Sequence, residues 1–482
     1  MTLLENIKHE QNYTLTENGA LALNTTSNAL VDLFATSGAL RNRDENDITR
    51  MFAKAMVEDR LLATKTAFYT RDVRGGLGER RTGRLMFKYL ANNYPEIFNK
   101  NLEYIAEFGR WDDLIYLLYD APEQIVSLIK KQLKLDIENK NKTEPVTLLA
   151  KWLPSVNTSN RETVQKAKYL AKKLGMSEMK YRKTLSELRA YLKIVETDMS
   201  AKRFGDIEYS AVPSKAMKNY RNAFRRNDGE RFNEFLNKVE KGETEINADV
   251  LYPYDIVEIY LNESCGDDAV LEQQWKALPN YLDGENKFLV MADVSGSMYG
   301  RPLATSVGLA MYFAERNKGP FANTFMTFSA KPELLTIKGE TLFEKLKYIE
   351  NSAWNMNTDL EAAFDLVLHT AVKYNIPENE MPASIIVITD MEFDECVSGN
   401  WLFYDTMEKR FADNGYNIPN IVFWNVRSDN DTYHASFDRK GVQLASGHSP
   451  VVFDSLVKGF QMTPYDYMLM VINDERYDKI TV

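Results

Sequence analysis

A short apolar run that passes directly into a polar loop constrains the fold of this chain most. Residues Phe288–Met298 read FLVMADVSGSM. A continuous apolar run of this length is typical of a parallel strand buried on both faces, so the polar residues lie at its carboxyl end. Open α/β sheets bind ligands at that edge. The sequence therefore predicts a ligand site that begins at Asp293.

The loop after this strand offers one carboxylate and two hydroxyls, from Asp293, Ser295 and Ser297. Hard oxygen ligands suit Mg²⁺, Mn²⁺ or Ca²⁺ and do not suit zinc. Thr358 directly precedes a predicted helix, and Asp390 closes the predicted strand SIIVIT, so a doubly wound sheet would bring both to the same edge. We expect these five residues to form one divalent-cation site, with Mg²⁺ as the first candidate ion.

The pattern around this loop predicts a doubly wound α/β domain over residues 286–482. After Asn262 the chain turns acidic, and a turn-rich linker is expected over residues 271–285. Strand-sized and helix-sized runs then alternate, as in a mostly parallel sheet. The runs TFMTFS and ELLTI stand too close together for a crossover, so we expect them to form an antiparallel hairpin at one edge of the sheet.

The first half of the chain predicts an all-α array over residues 46–270, preceded by an arm of one or two short helices and irregular chain over 1–45. Helical periodicity begins near Asp47 and is interrupted by the arginine- and glycine-rich loop Arg71–Arg84. Ser159 and Glu162 match a capping box, and Ser177 is expected to begin the next helix. Consecutive helices with short connections are typical of HEAT-like arrays, which can form rings. No clear sequence repeat is visible, so a plain helical bundle is the alternative.

Composition indicates a folded intracellular protein with one basic segment in an acidic chain. The chain has 482 residues, two cysteines and a net charge of −10, yet residues 51–231 hold 35 Lys and Arg against 23 Asp and Glu. Two distant cysteines exclude a disulfide framework, and neither a signal peptide nor a membrane-length apolar stretch is present, so we expect a cytoplasmic location. The basic segment suggests a polyanion, although lysines that merely solvate helix faces explain it equally well.

Enzymatic motifs are missing from the sequence. The run GGLGER lacks the Lys-Ser/Thr ending of a phosphate-binding loop, and DVSGS lacks the flanks of a nucleophile elbow. The four histidines show no metal-ligand spacing. We therefore expect a binding protein and not an enzyme.

The pattern of the five cation ligands resembles the metal-ion-dependent adhesion site of von Willebrand factor A domains. The D-x-S-x-S loop after a strand, the threonine at a helix start and the aspartate at a strand end carry the resemblance. It implies a Rossmann-like domain whose ion keeps one coordination position for a carboxylate from a partner protein. This chain departs from the family at Thr389–Asp394, where TDMEFD replaces the common T-D-G and adds two carboxylates.

Several stretches in the helical half resemble a Ro-related family of bacteria, phages and eukaryotes. They are RDVRGGLGER, GRWDDL, KWLPS, YRKTLSELR, SAVPSKAMKNY and LYPYDIV. The architecture is similar to that of Ro autoantigens, in which a ring of HEAT-like helices, the TROVE module, is closed by an A domain. The resemblance implies a ribonucleoprotein whose basic helical module holds structured or single-stranded RNA, either small non-coding or misfolded, and whose A domain closes the ring or recruits partners. The candidate RNA-binding residues are Arg71, Arg74, Arg80, Arg81, Arg84, Lys168, Lys172, Lys173, Arg182, Lys215 and Lys218.

A second hypothesis is left open by the sequence. In it the protein is an interaction or assembly factor, including a phage structural or packaging factor, whose metal site binds a partner carboxylate while the basic helices serve packing alone. Loss of partner binding on removal of Asp293 is expected under this hypothesis, whereas RNA affinity is expected under the first.

Overall fold

The helical region comes first in the chain and confirms the first part of the predicted fold class. The computed structural model describes residues 11–262, 266–282, 287–327, 331–352, 358–395 and 402–482. Cys265 and Cys396 lie outside these ranges. The helices of the region are α1 (Ala29–Thr36), α2 (Glu45–Glu58), α3 (Arg60–Arg71), α4 (Arg80–Asn93), α5 (Pro95–Phe108), α6 (Trp111–Tyr116), α7 (Pro122–Asn141), α8 (Leu149–Trp152), α9 (Arg161–Lys173), α10 (Glu178–Tyr191), α11 (Val195–Ser200), α12 (Ser214–Asn227), α13 (Gly229–Glu240), α14 (Pro253–Asn262) and α15 (Ala269–Lys276).

The α/β region follows and confirms the second part of that class. A hairpin of β1 (Tyr13–Leu15) and β2 (Leu21–Leu23) precedes the helices, and the main sheet is built from β3 (Phe288–Ala292), β4 (Thr324–Thr327), β5 (Glu333–Thr336), β6 (Ser384–Thr389), β7 (Asn420–Asn425) and β8 (Val442–Ser446). Its helices are α16 (Arg301–Arg316), α17 (Leu342–Glu350), α18 (Leu360–Tyr374), α19 (Phe403–Asp413), α20 (Val452–Gly459) and α21 (Pro464–Ile472).

The main sheet is parallel except at one edge. Its strand order is β5-β4-β3-β6-β7-β8. Of these six strands, only β5 runs antiparallel to its neighbour, β4. The predicted edge hairpin is therefore confirmed. Strands β3 and β6 are buried at every residue, as the continuous apolar runs predict for a sheet covered on both faces. They are also neighbours, and this adjacency positions the candidate site.

Three helix boundaries show where local signals succeed and fail. Ser177 caps α10, as predicted, by accepting a hydrogen bond from the Lys180 amide. The predicted capping box at Ser159 is wrong, because Asn160 caps α9 instead, through the Thr163 amide at 2.9 Å. The helical pattern that begins near Asp47 is divided at Asp59. The Asp59 carboxylate accepts a hydrogen bond from the Leu62 amide and caps α3.

The predicted glycine-rich loop is confirmed over residues 72–79, between α3 and α4. The prediction is wrong for its ends, because Arg71 is the last residue of α3 and Arg80–Arg84 form the first turns of α4. Gly78 has φ +66°, in the left-handed region that glycine adopts at little cost. A Cβ on Gly76 would lie 2.2 Å from the Tyr69 carbonyl oxygen. These two positions fold the loop tightly against the end of α3.

The amino-terminal arm packs on the α/β region. Strands β1 and β2 form an antiparallel hairpin, which three-residue strands give too little pattern to predict. The Gly38 amide, just after α1, donates to Ser446 Oγ at the end of β8 at 3.0 Å. Phe34 of α1 lies 5.7 Å, centroid to centroid, from the ring of Tyr467 in α21. Helix α1 thus completes one side of the sheet.

Hydrophobic packing is continuous between the helical and α/β regions. Buried residues from Ala20 to Leu188 share one cluster with the sheet, and Gly308 of α16 permits close contact with the Pro253 backbone at the start of α14. A second cluster is formed by residues between Val195 and Ile246 together with Val270. The domain limits predicted from the sequence stay predictions. Helix α15 itself crosses the predicted start of the linker.

The last residues of the chain return to the helical region. The Tyr477 hydroxyl donates to Asp72 Oδ2 at 3.0 Å, and Arg476 Nη2 donates to Asp72 Oδ1 at 2.8 Å. Asn101 exchanges two hydrogen bonds with the backbone of Thr481. Within the described ranges, no helix is long and apolar enough to cross a membrane.

Candidate functional site

The parallel pairing of β3 with β6 brings the predicted carboxylates to one edge of the sheet. Ala292 pairs with Ile388, so Asp293 and Asp390 lie at adjacent carboxyl ends. Asp293 accepts hydrogen bonds from the Ser295 amide (2.9 Å) and from Thr389 Oγ1 (2.7 Å). The contacts fix the Asp293 carboxylate in one orientation.

The two serines of the loop complete an oxygen-rich cluster. Ser295 Oγ lies 3.0 Å from Ser297 Oγ, and the Ser297 hydroxyl hydrogen-bonds to the Asp390 carboxylate. A short 3₁₀ turn over Gly296–Met298 directs both side chains to the same side. Four of the five predicted ligands therefore lie together.

Both carboxyl groups of the cluster are buried, and their charges repel each other. Burial, and after it the charge of Asp390, raises the pKa of Asp293 to about 7. Burial also raises the pKa of Asp390, against hydrogen bonds from Ser297 and the nearby Arg427 charge. Desolvated like charges favour proton uptake or a bound cation. The carboxylate and hydroxyl set fits a hard divalent cation, and Asp293, Asp390, Ser295 and Ser297 would hold it.

Few carboxylates contribute to this site. Within the described ranges, no group of three or more His, Cys, Asp or Glu side chains has metal-binding geometry. The candidate site therefore depends on its hydroxyls for the remaining ligands. Such a ligand set, with two carboxylates, suits an ion that keeps several waters, as Mg²⁺ does.

Thr358, the fifth predicted ligand, lies beside the cluster but has other partners. Its hydroxyl contacts the Asp394 carboxylate at 2.9 Å and the Glu392 carbonyl oxygen at 3.0 Å, and it accepts from Asn18 Nδ2 at 3.1 Å. Thr358 is thus joined to the cluster through the loop 390–394. Beyond the hydrogen bond accepted from Asn18, its oxygen keeps one lone pair, and that lone pair is what it can offer to an ion.

A turn of the amino-terminal hairpin covers this loop, which the sequence did not predict. The Glu17 amide donates to Glu392 Oε2 at 2.6 Å, and Asn18 Nδ2 donates to the Glu392 carbonyl oxygen at 2.7 Å. Thr16 Oγ1 donates to the carbonyl oxygen of Phe393 at 2.7 Å. The two extra carboxylates of the TDMEFD loop therefore have intramolecular partners. Contacts between residues so distant in the chain leave no local sequence signal.

Arg427 is a second residue at this edge that the sequence did not single out. Its Nη1 donates to the Ser297 carbonyl oxygen at 2.7 Å, and its Nη2 pairs with Asp429 at 2.6 Å. The guanidinium is about one third exposed, so it screens the rim of the cluster more than its interior. The NVRSD run directly after β7 could have indicated it, because that strand also ends at the ligand edge.

The predicted RNA-binding residues differ in their exposure. Arg84, Lys215 and Lys218 are partly buried, and both lysines pair with Asp255. Arg74 bonds the Glu107 carbonyl oxygen near the end of α5, as a helix cap does. The exposed members are Arg74, Arg80, Arg81, Lys168, Lys172, Lys173 and Arg182.

Arg71 is buried, which removes it from the predicted RNA surface and gives it a structural role. Its side chain is 1% exposed, and its Nε donates to Asp113 Oδ2 at 2.8 Å. Asp113 is fully buried as well and accepts from Arg84 Nε at 2.6 Å through its other oxygen. A buried guanidinium needs such a carboxylate, because an unpaired charge in the interior costs several kcal/mol.

Three of the predicted arginines line a cavity of about 410 Å³, which we call the arginine pocket. Its walls are Arg41, Arg80, Arg81, Arg84 and Tyr116. Arg41 was missed by sequence reasoning because it lies in the arm, far from the arginine-rich loop. Arg182 lines a different cavity, of about 540 Å³, beside α10.

Comparisons with known proteins match both regions of the chain. A model of a domain of unknown function, DUF2828, matches residues 16–147 and 158–287, and one of a second domain of unknown function, DUF7788, matches residues 287–471. Uncharacterized protein L728 of Acanthamoeba polyphaga mimivirus is 28% identical, over 96% of this chain and 87% of that protein. The crystal structure of the RO (RSR) protein of Deinococcus radiodurans matches with a TM-score of 0.46 and 14% identity, covering 86% of this chain and 93% of that one.

Proposed function

The chain belongs to the family of the domain of unknown function DUF2828, and from its own geometry we propose that it is a non-enzymatic, Ro-like RNA-binding protein. In this proposal the helical region holds small non-coding or misfolded RNA. The α/β region holds a divalent cation, Mg²⁺ first, and recruits a protein partner.

The arginine pocket is the observation that carries the RNA proposal. It gathers four guanidinium groups around an open cavity in a chain whose net charge is −10. Such a concentration of arginine against the overall charge favours a polyanionic ligand. Guanidinium groups bind phosphate in a two-pronged geometry that lysine cannot reproduce. RNA supplies phosphates at regular spacing, and a protein binds it by displacing their counterions.

The cation would act in this protein as a binding or conformational element. Asp293 and Asp390 would share it, and Ser295 and Ser297 would complete the protein ligands. A bound ion supplies positive charge that can accept a carboxylate from another protein. The hydrogen bonds from Thr389 and the Ser295 amide hold Asp293 ready for it.

RNA binding is tested with purified protein and a fluorescently labelled small structured RNA, followed by fluorescence anisotropy over a range of salt concentrations. We expect affinity at low salt that weakens steeply as salt rises, since phosphate contacts release counterions. The ratio of absorbance at 260 and 280 nm reports nucleic acid that copurifies. Failure to bind either this RNA or its single-stranded form at low salt contradicts the proposal.

A second candidate function is favoured by the buried Asp293–Asp390 pair, which gains most from a cation. In this alternative the protein is an interaction or assembly factor that uses the ion to bind a partner's Asp or Glu. Partner binding should then require a divalent cation and should be lost in Asp293→Ala. Partner binding that survives both the chelator and Asp293→Ala contradicts this candidate.

A further inference from the structure

We propose that the arginine pocket binds one phosphate of a single-stranded RNA and stacks the adjoining base on Tyr116. The proposal rests on the RNA-binding function above and names the form of RNA and the residues that contact it.

The pocket retains unsaturated donors for a phosphate. Arg41 uses Nη2 to pair with Glu79 at 2.6 Å, and Arg84 is held by Asp112 and Asp113. Arg80 approaches Asp112 at 3.7 Å, which is too long for a hydrogen bond, and its side chain is 47% exposed. The carboxylates thus orient Arg41 and Arg84, while the donors of Arg80 stay available to a ligand.

Helix α4 adds positive charge to the same place. It begins at Arg80, Glu79 at its N-cap makes no side-chain cap, and its first turn contains no acidic residue. Arginine in the first turn opposes the helix dipole, which favours anions there. Helix α4 has 14 residues and carries arginines at its positive end, where acidic residues would stabilise it. Such departures from local stability concentrate at functional sites.

The charge around the pocket is unbalanced. Burial, and then the charges of Arg80 and Arg71, lower the pKa of Arg110, so this guanidinium adds to the positive charge of the cluster. The carboxylates that act on these arginines are Glu79, Asp112 and Asp113, each paired with at least one of them, and Glu258. Glu258 acts on Arg41 by its charge alone and forms its ion pair with Arg301. Positive charge is therefore left over at the mouth of the pocket, where a phosphate can neutralise it.

Aromatic side chains lie in the wall of the pocket and on the turn that follows it in the chain. The Arg84 guanidinium lies 5.1 Å from the Tyr116 ring centroid, and Tyr116 is 37% exposed, so part of its ring is open to a base. Tyr119 follows three residues later, is 57% exposed and packs on Tyr169 at 5.5 Å. Lys173, which sequence analysis had singled out, lies over the Tyr169 ring.

Alternating basic and aromatic groups are typical of single-strand binding. Bases in a duplex are stacked on each other and cannot reach an aromatic side chain, whereas those of a single strand can. Tyr116 provides one such platform in the wall of the arginine pocket, and exposed Tyr119, on the turn that follows, provides a second aromatic surface nearby in the chain. We therefore assign the pocket to a single strand and not to duplex RNA.

The test compares Arg80→Glu and Tyr116→Ala with the wild type, using anisotropy of a 5′-fluorescein-labelled oligouridylate of about 12 nucleotides. Both side chains are exposed, so neither change should unfold the protein. We expect Arg80→Glu to weaken binding at least about tenfold and to lower the salt slope by roughly one or more. Tyr116→Ala should weaken binding roughly five- to hundredfold with an unchanged salt slope, because it removes stacking and no charge.

Two matched controls accompany these variants. Arg50→Glu reverses an exposed charge on α2, outside the pocket, and should bind within about twofold of the wild type, since a phosphate contact is not involved. Tyr116→Phe keeps the ring and should restore binding lost in Tyr116→Ala. Melting curves verify that all four variants fold.

The outcomes separate this inference from the function on which it rests. If the wild type binds RNA and both pocket variants bind equally well, the pocket assignment is overturned and the RNA-binding function stands. If the wild type binds neither oligouridylate nor structured RNA, both fail. Uridine monophosphate that binds as tightly as the oligomer, or a hairpin duplex that depends on Tyr116 equally, overturns the single-strand assignment.

Discussion

Two buried charge clusters in this protein differ in the sign of the charges that they bring together. In the helical region, Asp113 lies between Arg71 and Arg84, and each of its oxygens accepts a guanidinium hydrogen bond. At the edge of the sheet, Asp293 and Asp390 carry the same charge and are neighbours in the interior. Among the described residues, the cationic side chain whose charge acts on Asp390 is Arg427, at the rim.

This difference in the sign of the charges separates a cluster that stabilises the fold from one that can bind a ligand. Opposite charges that hydrogen-bond to each other need nothing further, and their removal damages the fold. Like charges without a counter-charge remain a cost until a proton or a cation arrives. Burial of charged groups alone therefore does not identify a functional site. Whether the buried charges have the same or opposite signs does identify it.

The largest effect is expected from Asp113→Ala. The change leaves Arg71 buried without its carboxylate and also releases Arg84. Breaking a buried ion pair in this way costs about 3–5 kcal/mol. Urea unfolding should show the loss as a lower midpoint. A loss below about 1 kcal/mol would mean that water or another carboxylate compensates Arg71, and the two clusters would differ less than their geometry indicates.

Magnesium should raise the free energy of unfolding of the wild type by nearly as much as Asp113→Ala lowers it. A ligand at a hundred times its dissociation constant raises the free energy of unfolding by about 2.7 kcal/mol. Melting curves with Mg²⁺ and with EDTA measure this, and Asp293→Ala should abolish the difference. Glu138→Gln, at an exposed carboxylate of α7, serves as the control and should keep it. Equal stabilisation of Asp293→Ala and Glu138→Gln by Mg²⁺ would show that the ion binds at a different site.

Acid should reveal a third kind of buried group, a histidine that stays neutral. Burial, and then the charge of Arg41, lowers the pKa of His448 to about 3, and its Nδ1 lies 2.7 Å from Thr305 Oγ1. Because the unfolded chain binds the proton more readily, this contribution to stability is complete above about pH 6.5 and falls as the pH drops towards 3. The loss at pH 5 is on the order of 2 kcal/mol.

His448→Gln isolates this contribution. Its unfolding free energy should fall less between pH 7 and pH 5 than that of the wild type. The variant comparison is needed because the raised pKa of Asp293 acts in the opposite direction, stabilising the metal-free protein as the pH drops below about 7. Identical pH profiles for variant and wild type would contradict a buried neutral histidine.

The smallest effect, and the sharpest contrast in sign, is expected from Asp390→Asn. In EDTA this change removes one of two repelling charges and should raise the free energy of unfolding by about 1 kcal/mol. The matched change Asp113→Asn should lower it, since there the carboxylate is paired. If Asp390→Asn destabilises the metal-free protein, the hydrogen bond from Ser297 outweighs the repulsion.

The sequence predicted those parts of the fold that depend on local pattern. The buried runs of β3 and β6 have the length and composition of parallel core strands, and their parallel direction follows from the alternation with helices. Asp293, Ser295, Ser297 and Asp390 were found because they directly follow those strands. Ser177 was found because a cap is defined by its immediate neighbours.

The remainder depends on contacts between distant residues. Thr358 precedes a helix, as expected, yet its hydroxyl hydrogen-bonds to Asp394 and Asn18. These partners depend on how distant loops pack together, which the local sequence does not show. Arg71 belongs to the same arginine-rich run as Arg80, but the end of α3 faces inward and the start of α4 faces outward. Asp59 divides one amphipathic run into two helices, because its side chain caps the second.

The packing of α1 has a consequence for the newly made chain. Val31, Leu33 and Phe34 are buried in the folded protein, and the arm meets the end of β8 across 408 residues of sequence, from Gly38 to Ser446. At roughly 5–20 residues per second, a ribosome needs about 20–80 s to synthesise that interval. During this time the apolar side of α1 is complete before the strand that covers it exists. The nascent chain is therefore exposed to aggregation, and accessible to chaperones, until β8 emerges.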